Sequence, residues 1–466
     1  MAKTIVLITL DSLRFDVFQE YVNSETEGFL EELYADGVSF LGATAGAPWS
    51  LPSYGSIFTG LYPSEHGGTG TRTRISPETP TLMDRLREAG FETGCFTANP
   101  FVTEEYGLGG WDHHEHVHDP YLEHSISTGG GAENKYVNAV TNVVRSPSPL
   151  RTFVNGAYRG LKNEFGIIDD GGKKVTQRGA DWISTRDDDQ PCFIFLNYMD
   201  THAYHRYLSS SRGRLRNIVD RGTMKHVASK LGKGYYEGEL QITDEERSLL
   251  SALMRDELKY VDSLLETFAQ TLTNQGRLGE TTFIVCSDHG EAFGERGFSG
   301  HLAGVTEPLI RTPLLISSNE TEKKESTDRV SLTWLKGTIE SLAGIADEED
   351  RVTLFNPQTY PSFVGAENTG RLRTQVDDVN TVSDRYFKKR VAVFHTDEPN
   401  KKYVKVGDEY SVRTVEPDSI RESDGTTTET AEERVSAFTD QLETHSGDDI
   451  ELAESTEEKL KNLGYL

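Results

Sequence analysis

Five times along the chain a short, apolar, β-rich run stops abruptly at a polar residue. The runs fall at residues 4–10, 91–97, 192–198, 282–286 and 313–316. Near-continuous apolar runs of this length suit strands covered on both faces, as in a parallel sheet. Between several of them lie helical patterns. One spans 79–89, capped by Thr79 and stopped by Gly90; another spans 244–275, where Leu249, Leu250, Leu253, Leu258, Val261 and Leu265 approximate one face. The alternation predicts an α/β fold with a large, mainly parallel sheet and helices on both faces. In open sheets of this kind ligands bind at the carboxyl ends of the strands. The polar residues that end each run are therefore where chemistry is expected.

Residues 1–380 read as this α/β domain, with a turn-rich, weakly periodic insertion at about 120–180 containing STGGGAEN, RSPSPL and DDGGKK. From about residue 384 the pattern changes to RYFKKRVAVFH, KKYVKV and EYSVRTV, separated by turn residues. Residues 381–466 are accordingly expected to form a small antiparallel subdomain. Its stretch from 416 to 458 is rich in Glu, Asp, Thr and Ser and reads as a solvated or mobile tail, with the closing LKNLGYL able to dock as an anchor.

Charge narrows the partners. Lys and Arg number 48 against 75 Asp and Glu, a net charge of −27. Nucleic acid and anionic membranes are repelled by such a chain, and the excess, spread along the whole length, is the surface chemistry of halophiles. No apolar run approaches the roughly 20 residues that cross a bilayer. The opening strand is too short for a signal h-region, so a cytoplasmic location is expected. Cys95, Cys192 and Cys286 each sit inside an apolar run, as small buried hydrophobes do.

Four segments carry the candidate chemistry. ITLDSLRFD ends strand one with Asp11, a hard oxygen ligand facing whatever binds above the sheet. GAPWSLPSYGSIFTGLYPSEHG sets Ser50 just before Leu51-Pro52 and a helix, where free N–H groups and the positive dipole end favour an alkoxide attacking an anion. Taken alone, Ser50 reads equally as an N-cap, with Ser53 as the alternative. CFIFLNYMDTHAYH ends with Asp200 and His202, which an extended chain points to one side. TFIVCSDHGEAFGERGFSGH offers Asp288 and His289, an oxygen and a nitrogen ligand suited to Mn, Zn or Fe rather than Ca alone, and His301 after a Gly-rich loop.

Together these segments resemble the sulfatase-like branch of the alkaline phosphatase superfamily. The LDSLRFD opening, the S-x-P-S segment running into FTGLYPSEHG, the TLMDRLREAGFETGCFTANP block, NYMDTH, SDHGE and the terminal LGYL all carry the likeness. The resemblance implies a metal-dependent ester hydrolase in which Asp11, Asp288 and His289 bind one divalent cation, Mn, Zn or Ca. It makes Ser50 the nucleophile and brings His202 and His301 to the leaving group and the anion oxygens. A second metal, held through Asp200, His202 and His301, stays open.

Departures from the family pattern matter as well. Sulfatases that convert their nucleophile to formylglycine carry C-x-P-x-R or S-x-P-x-R, and here Tyr54 stands in place of that Arg. Ser12 stands where sulfatases often have a second metal-binding Asp, and His289 where they often have Asn. Both changes resemble the phosphoryl-transfer branch. The expected substrate is a small anionic ester, a phosphate diester or a phosphonate or sulfate-type ester, carried on a glycan or lipid headgroup. A true sulfate ester hydrolase and a catalytically silent protein that binds an anionic glycan or headgroup are the rival readings. Arg72 and Arg74 lie close enough after the nucleophile helix to meet a substrate anion, although surface arginines are the plainer reading; His66 reads as packing or support. The run His113, His114, His116 and His118 is read as an exposed loop in preference to a metal site.

Overall fold

The structure, a computed structural model, describes residues 4–24, 28–70, 73–117, 171–187, 189–202, 241–345, 351–369, 384–425, 429–445 and 448–452, with single residues between 223 and 230 and at 456 and 460. The strands of the larger sheet are β1 (Thr4–Leu10), β2 (Val38–Thr44), β3 (Glu92–Thr97), β4 (His113–His116), β5 (Cys192–Tyr198) and β6 (Thr281–Cys286). After a small hairpin of β7 (Ala292–Phe293) and β8 (Ser299–Gly300), β9 (Leu314–Ser317) and β10 (Lys324–Ser331) complete it. Their order is β10-β2-β9-β6-β1-β5-β3-β4. Every pairing is parallel except those of β9 with β2 and β6. β1 is central, so its carboxyl end, Asp11, lies between the ends of β5 and β6.

Strand β1 shows why its run is apolar at successive positions. Ile5 and Leu7 enter one core and Val6, Ile8 and Leu10 the other. The second core is closed by α1 (Phe15–Asn23), α2 (Phe29–Asp36), α5 (Gly172–Ile183) and α6 (Asp244–Asn274). The first is closed by α3 (Ser50–Thr59), α4 (Leu82–Glu88) and α7 (Leu335–Leu342). Helices cover both faces, as the sequence predicts.

The second sheet is antiparallel, β11-β12-β13-β14-β15, from Phe363–Asn368, Arg390–His395, Lys401–Val406, Glu409–Val415 and Glu422–Asp424. It begins at Phe363, ahead of residue 381, and its Val364, Ala366, Phe394 and Val404 join the same core as α3.

Several boundaries differ from expectation. Helix α4 starts after Thr81, because Thr81 and Asp84 form a capping box whereas Thr79 is followed by Pro80, which disfavours helix at the residue before it. Residues 172–183, placed by sequence in the insertion, form α5 and pack on β3 and β5. Most of the insertion, residues 118–170, lies outside the described residues. The stretch read as a solvated tail holds β15 and α8 (Glu429–Thr439), which buries Ala431, Val435 and Phe438 on the second sheet. The histidine run is the edge strand β4 rather than a loop; His118 lies outside the described residues.

Candidate active site

Asp11, Asp288 and His289 meet at the ends of β1 and β6, all fully buried, with one ligand atom of each within 4.8 Å of the others. Among the described residues this is the one group of three such side chains; Asp200, His202 and His301 do not form another. The turn after β1 is built for the encounter. Ser12 has φ +58°, a left-handed conformation uncommon for a residue with a Cβ. Its N–H donates to Asp288 Oδ1 at 3.2 Å and its hydroxyl to Asp11 Oδ1 at 3.2 Å.

Asp11 rests on a polar floor. Asn99 Nδ2 donates to its Oδ2 at 2.7 Å and the Tyr54 hydroxyl lies 3.3 Å from the same oxygen. Asn197 Nδ2 donates to the Tyr54 hydroxyl at 2.7 Å and to Thr9 Oγ1 at 3.1 Å, and Thr97 Oγ1 donates to Asn197 Oδ1 at 2.9 Å. Thr201 Oγ1 donates to the Asp11 carbonyl at 2.7 Å. Burial, then the charges of Asp288 and Asp11, push the Tyr54 phenol far up, so it remains a neutral donor.

Asp288 Oδ2 is buried and lacks a hydrogen-bond donor. His289 Nδ1 lies 2.8 Å from the Gly290 carbonyl, which only accepts, so Nδ1 carries the proton and the Nε2 lone pair faces the carboxylates. Burial and then mutual repulsion push Asp11 up to about 7. Burial likewise pushes Asp288 up to about 7, and burial with neighbouring His301 pulls His289 down to about 4. Two buried carboxylates, an orphaned oxygen and an imidazole lone pair are a donor set that fits a divalent cation.

Ser50 is the first residue of α3 rather than its cap; Trp49, at φ −152° and ψ 163°, takes that position without a capping side-chain bond. The Ser50 hydroxyl lies 3.2 Å from His289 Nε2. Ser53 Oγ donates to the Asp288 carbonyl at 2.5 Å, tying α3 to the loop after β6. His66, fully buried, takes the Gly68 N–H on Nδ1 at 3.2 Å and so donates from Nε2 to the Pro52 carbonyl at 3.1 Å. It lies close against Gly55 of α3, where an added Cβ would come within 2.5 Å of its ring. Its role is to hold the helix.

His301 extends the cluster. Its ring centroid lies 4.6 Å from that of His289 and 5.0 Å from that of His202, and its Nδ1 is 2.9 Å from Glu291 Oε2. Arg14, fully buried, anchors the loop: it donates to Asp16, to Glu295 Oε1 and to the Glu291 carbonyl, and lies over Phe293. Asp200 is buried beside α5, close to Gly172. Arg74 is half-buried, its N–H donating to the Asp448 carbonyl; Arg72 lies outside the described residues.

Asn99, Thr201, Glu291 and Asn197 were not singled out by sequence. Asn197, a carboxamide inside an apolar strand, and Asn99, two residues after the end of β3, were the available signals.

An arylsulfatase of Clostridium perfringens is 23% identical over 343 residues, 64% of this chain and 65% of the relative. A phosphonate monoester hydrolase of Agrobacterium radiobacter superposes with a TM-score of 0.62 at 14% identity, over 99% of this chain and 96% of that one. BT1596, a 2-O GAG sulfatase, superposes at 0.59 with 14% identity, over 89% and 85%. The chain thus spans just under two thirds of the arylsulfatase it matches, and the structural likenesses establish the fold. A family model described as Sulfatase matches residues 3–345, and the chain belongs to the sulfatase family.

Proposed function

We propose that the protein hydrolyses a small anionic ester, with Ser50 as nucleophile and a phosphate diester or phosphonate monoester as preferred substrate. The observation that carries this reading is the Ser50 hydroxyl 3.2 Å from His289 Nε2, beside the buried Asp11 and Asp288. Asp11, Asp288 and His289 would hold one divalent cation, Mn, Zn or Ca. Such an ion supplies charge neutralisation on a non-bridging oxygen and a lowered pKa for a nearby hydroxyl. The chain's own groups do the rest. Ser50, at the start of α3, would attack in line at the positive end of that helix's dipole. His202 donates a proton to the leaving alcohol, and a histidine later activates water against the seryl ester. His301, oriented by Glu291, meets charge on the equatorial oxygens.

Tyr54 supports the phosphorus preference. It fills the position of the formylglycine-directing Arg with a buried neutral phenol beneath Asp11, which argues for an unmodified serine. A seryl phosphate yields to water, whereas a seryl sulfate resists it. The second reading, a sulfate ester hydrolase, is favoured by the likeness to the arylsulfatase. Retention of a nucleophile beside all three ligands argues against a silent binding protein. Turnover of a phosphate diester, a phosphonate monoester and an aryl sulfate, each with added Mn, separates the readings. Ser50→Ala should abolish the preferred activity and leave bound metal unchanged; undiminished turnover would remove Ser50 from its role.

A further inference from the structure

Described residues between 448 and 460 pack beside the start of α3. Asp449 bridges Thr73, and the Arg74 N–H donates to the Asp448 carbonyl at 3.0 Å. Beyond that bridge Ile450 and Leu452 are half-buried and Leu460 fully buried, while Thr456 Oγ1 donates to Glu105 Oε2 at 3.2 Å. These apolar residues close on one cluster, formed by Trp49, Leu51, Phe101 and Tyr106 with Leu302 beside them.

Trp49, Leu51 and Leu302 are chain neighbours of site residues, and Phe101 is bonded to one. Trp49 and Leu51 flank Ser50. Phe101 donates its N–H to Asn99 Oδ1 at 2.9 Å, and the same carboxamide donates to Asp11. Leu302 directly follows His301. Trp49, the residue before Ser50, meets Phe101 edge-on at 5.6 Å and Phe101 meets Tyr106 at 5.2 Å, so packing adds to the hydrogen bonds that set the start of α3. An uncovered cluster of this kind would be an exposed apolar patch free to repack.

We propose that the C-terminal segment, through Ile450, Leu452 and Leu460, is a positioning element of the active site that fixes Ser50, Asn99 and His301 relative to one another. The catalytic half of this proposal rests on Ser50 being the nucleophile; the packing half does not. A displacement of about 1 Å at a reacting group costs on the order of 100-fold in rate, so loosening this cluster should act on kcat more than on KM.

The test uses the full chain carrying Leu460→Ala, the milder Leu452→Ala, the restoring Leu460→Met, and Val435→Ala in α8 as a distant control. Two readouts are taken: amide hydrogen exchange of residues 49–54 and 99–102, and kcat and KM on whichever ester the wild type turns over best. Leu460→Ala should speed exchange in both segments and lower kcat about 100-fold with KM within about threefold. Leu452→Ala should act in the same direction more weakly, Leu460→Met should restore both readouts, and Val435→Ala should lower the melting temperature while moving neither. Unchanged exchange at 49–54 in Leu452→Ala and Leu460→Ala, or faster exchange with unchanged kcat, would overturn the proposal. If the wild type turns over none of the esters, the hydrolase reading falls, and the exchange readout alone decides whether the segment orders the nucleophile helix.

Discussion

The two oxygens of Asp288 divide the work of the site. Oδ1 is satisfied by the N–H groups of Ser12 and His289, whereas Oδ2 is buried without a donor. A carboxylate half-satisfied in this way is costly until a proton or a cation arrives. Its pKa of about 7, raised by burial from the ordinary 3.8, sets the sign of the pH effect. The folded state binds more protons than the unfolded state between about 4 and 7, so the group's contribution to metal-free stability falls as pH rises through that window. Asp288→Asn is therefore expected to abolish stoichiometric cation binding and yet, without metal, to be more stable than wild type at pH 8 by on the order of 1 kcal/mol. Paired calorimetry and metal analysis check this; full metal content in the variant would refute the ligand role. That Asp11, Ser50, Asp288 and His289 lie together was legible in the combination of their segments and its resemblance to a family, since each position alone reads equally as a turn or a cap. Asn99, Thr201 and Glu291 were not, because their contribution depends on which strand ends lie side by side, and strand order is not a local property.

Between the two sheets lies a buried ion network centred on Glu307, in the short helix Glu307–Ile310. Its Oε2 takes Arg311 Nε at 2.9 Å and Arg329 Nη2, on β10, at 3.1 Å; its Oε1 takes Lys402 Nζ, on β13, at 3.1 Å. Lys402 also reaches Glu422 of β15 at 2.7 Å. Burial alone would raise the Glu307 pKa, but Arg329, Lys402 and Arg311 hold it well below the usual 4.5. Its stabilising contribution is fully present above about 4.5 and is lost as pH falls below it. Glu307→Gln leaves three buried cations without their shared partner and should cost about 3–5 kcal/mol near neutrality, with the gap from wild type narrowing toward pH 3. Denaturant titrations at the two pH values read this; a gap that widens on acidification would contradict it. At this scale the sequence spoke clearly for runs buried on both faces, such as β1 and β5. It missed β10, whose KESTDRVS is largely polar because its outer half is exposed, and β4, whose HHEH sits at the sheet edge. It also missed α8, where three buried residues are dispersed among acidic ones.

At the scale of the molecule, the net charge of −27 works against an anionic substrate. Long-range repulsion slows encounter and is screened by salt, whose Debye length is about 8 Å at physiological ionic strength. Provided metal content is held constant, kcat/KM for an anionic ester should rise as ionic strength increases, while kcat stays level; a fall in kcat/KM would show that a positive local field outweighs the surface. The central claim concerns what Ser50 is and what becomes of it. It is tested most directly by mass spectrometry of the Ser50 peptide, from resting protein and from protein quenched during turnover of a phosphate diester with Mn. An unmodified serine at rest and a phosphoryl adduct on Ser50 after the quench are predicted. A resting peptide two hydrogens lighter, or efficient multiple-turnover sulfate ester hydrolysis by protein whose Ser50 is intact, would contradict it.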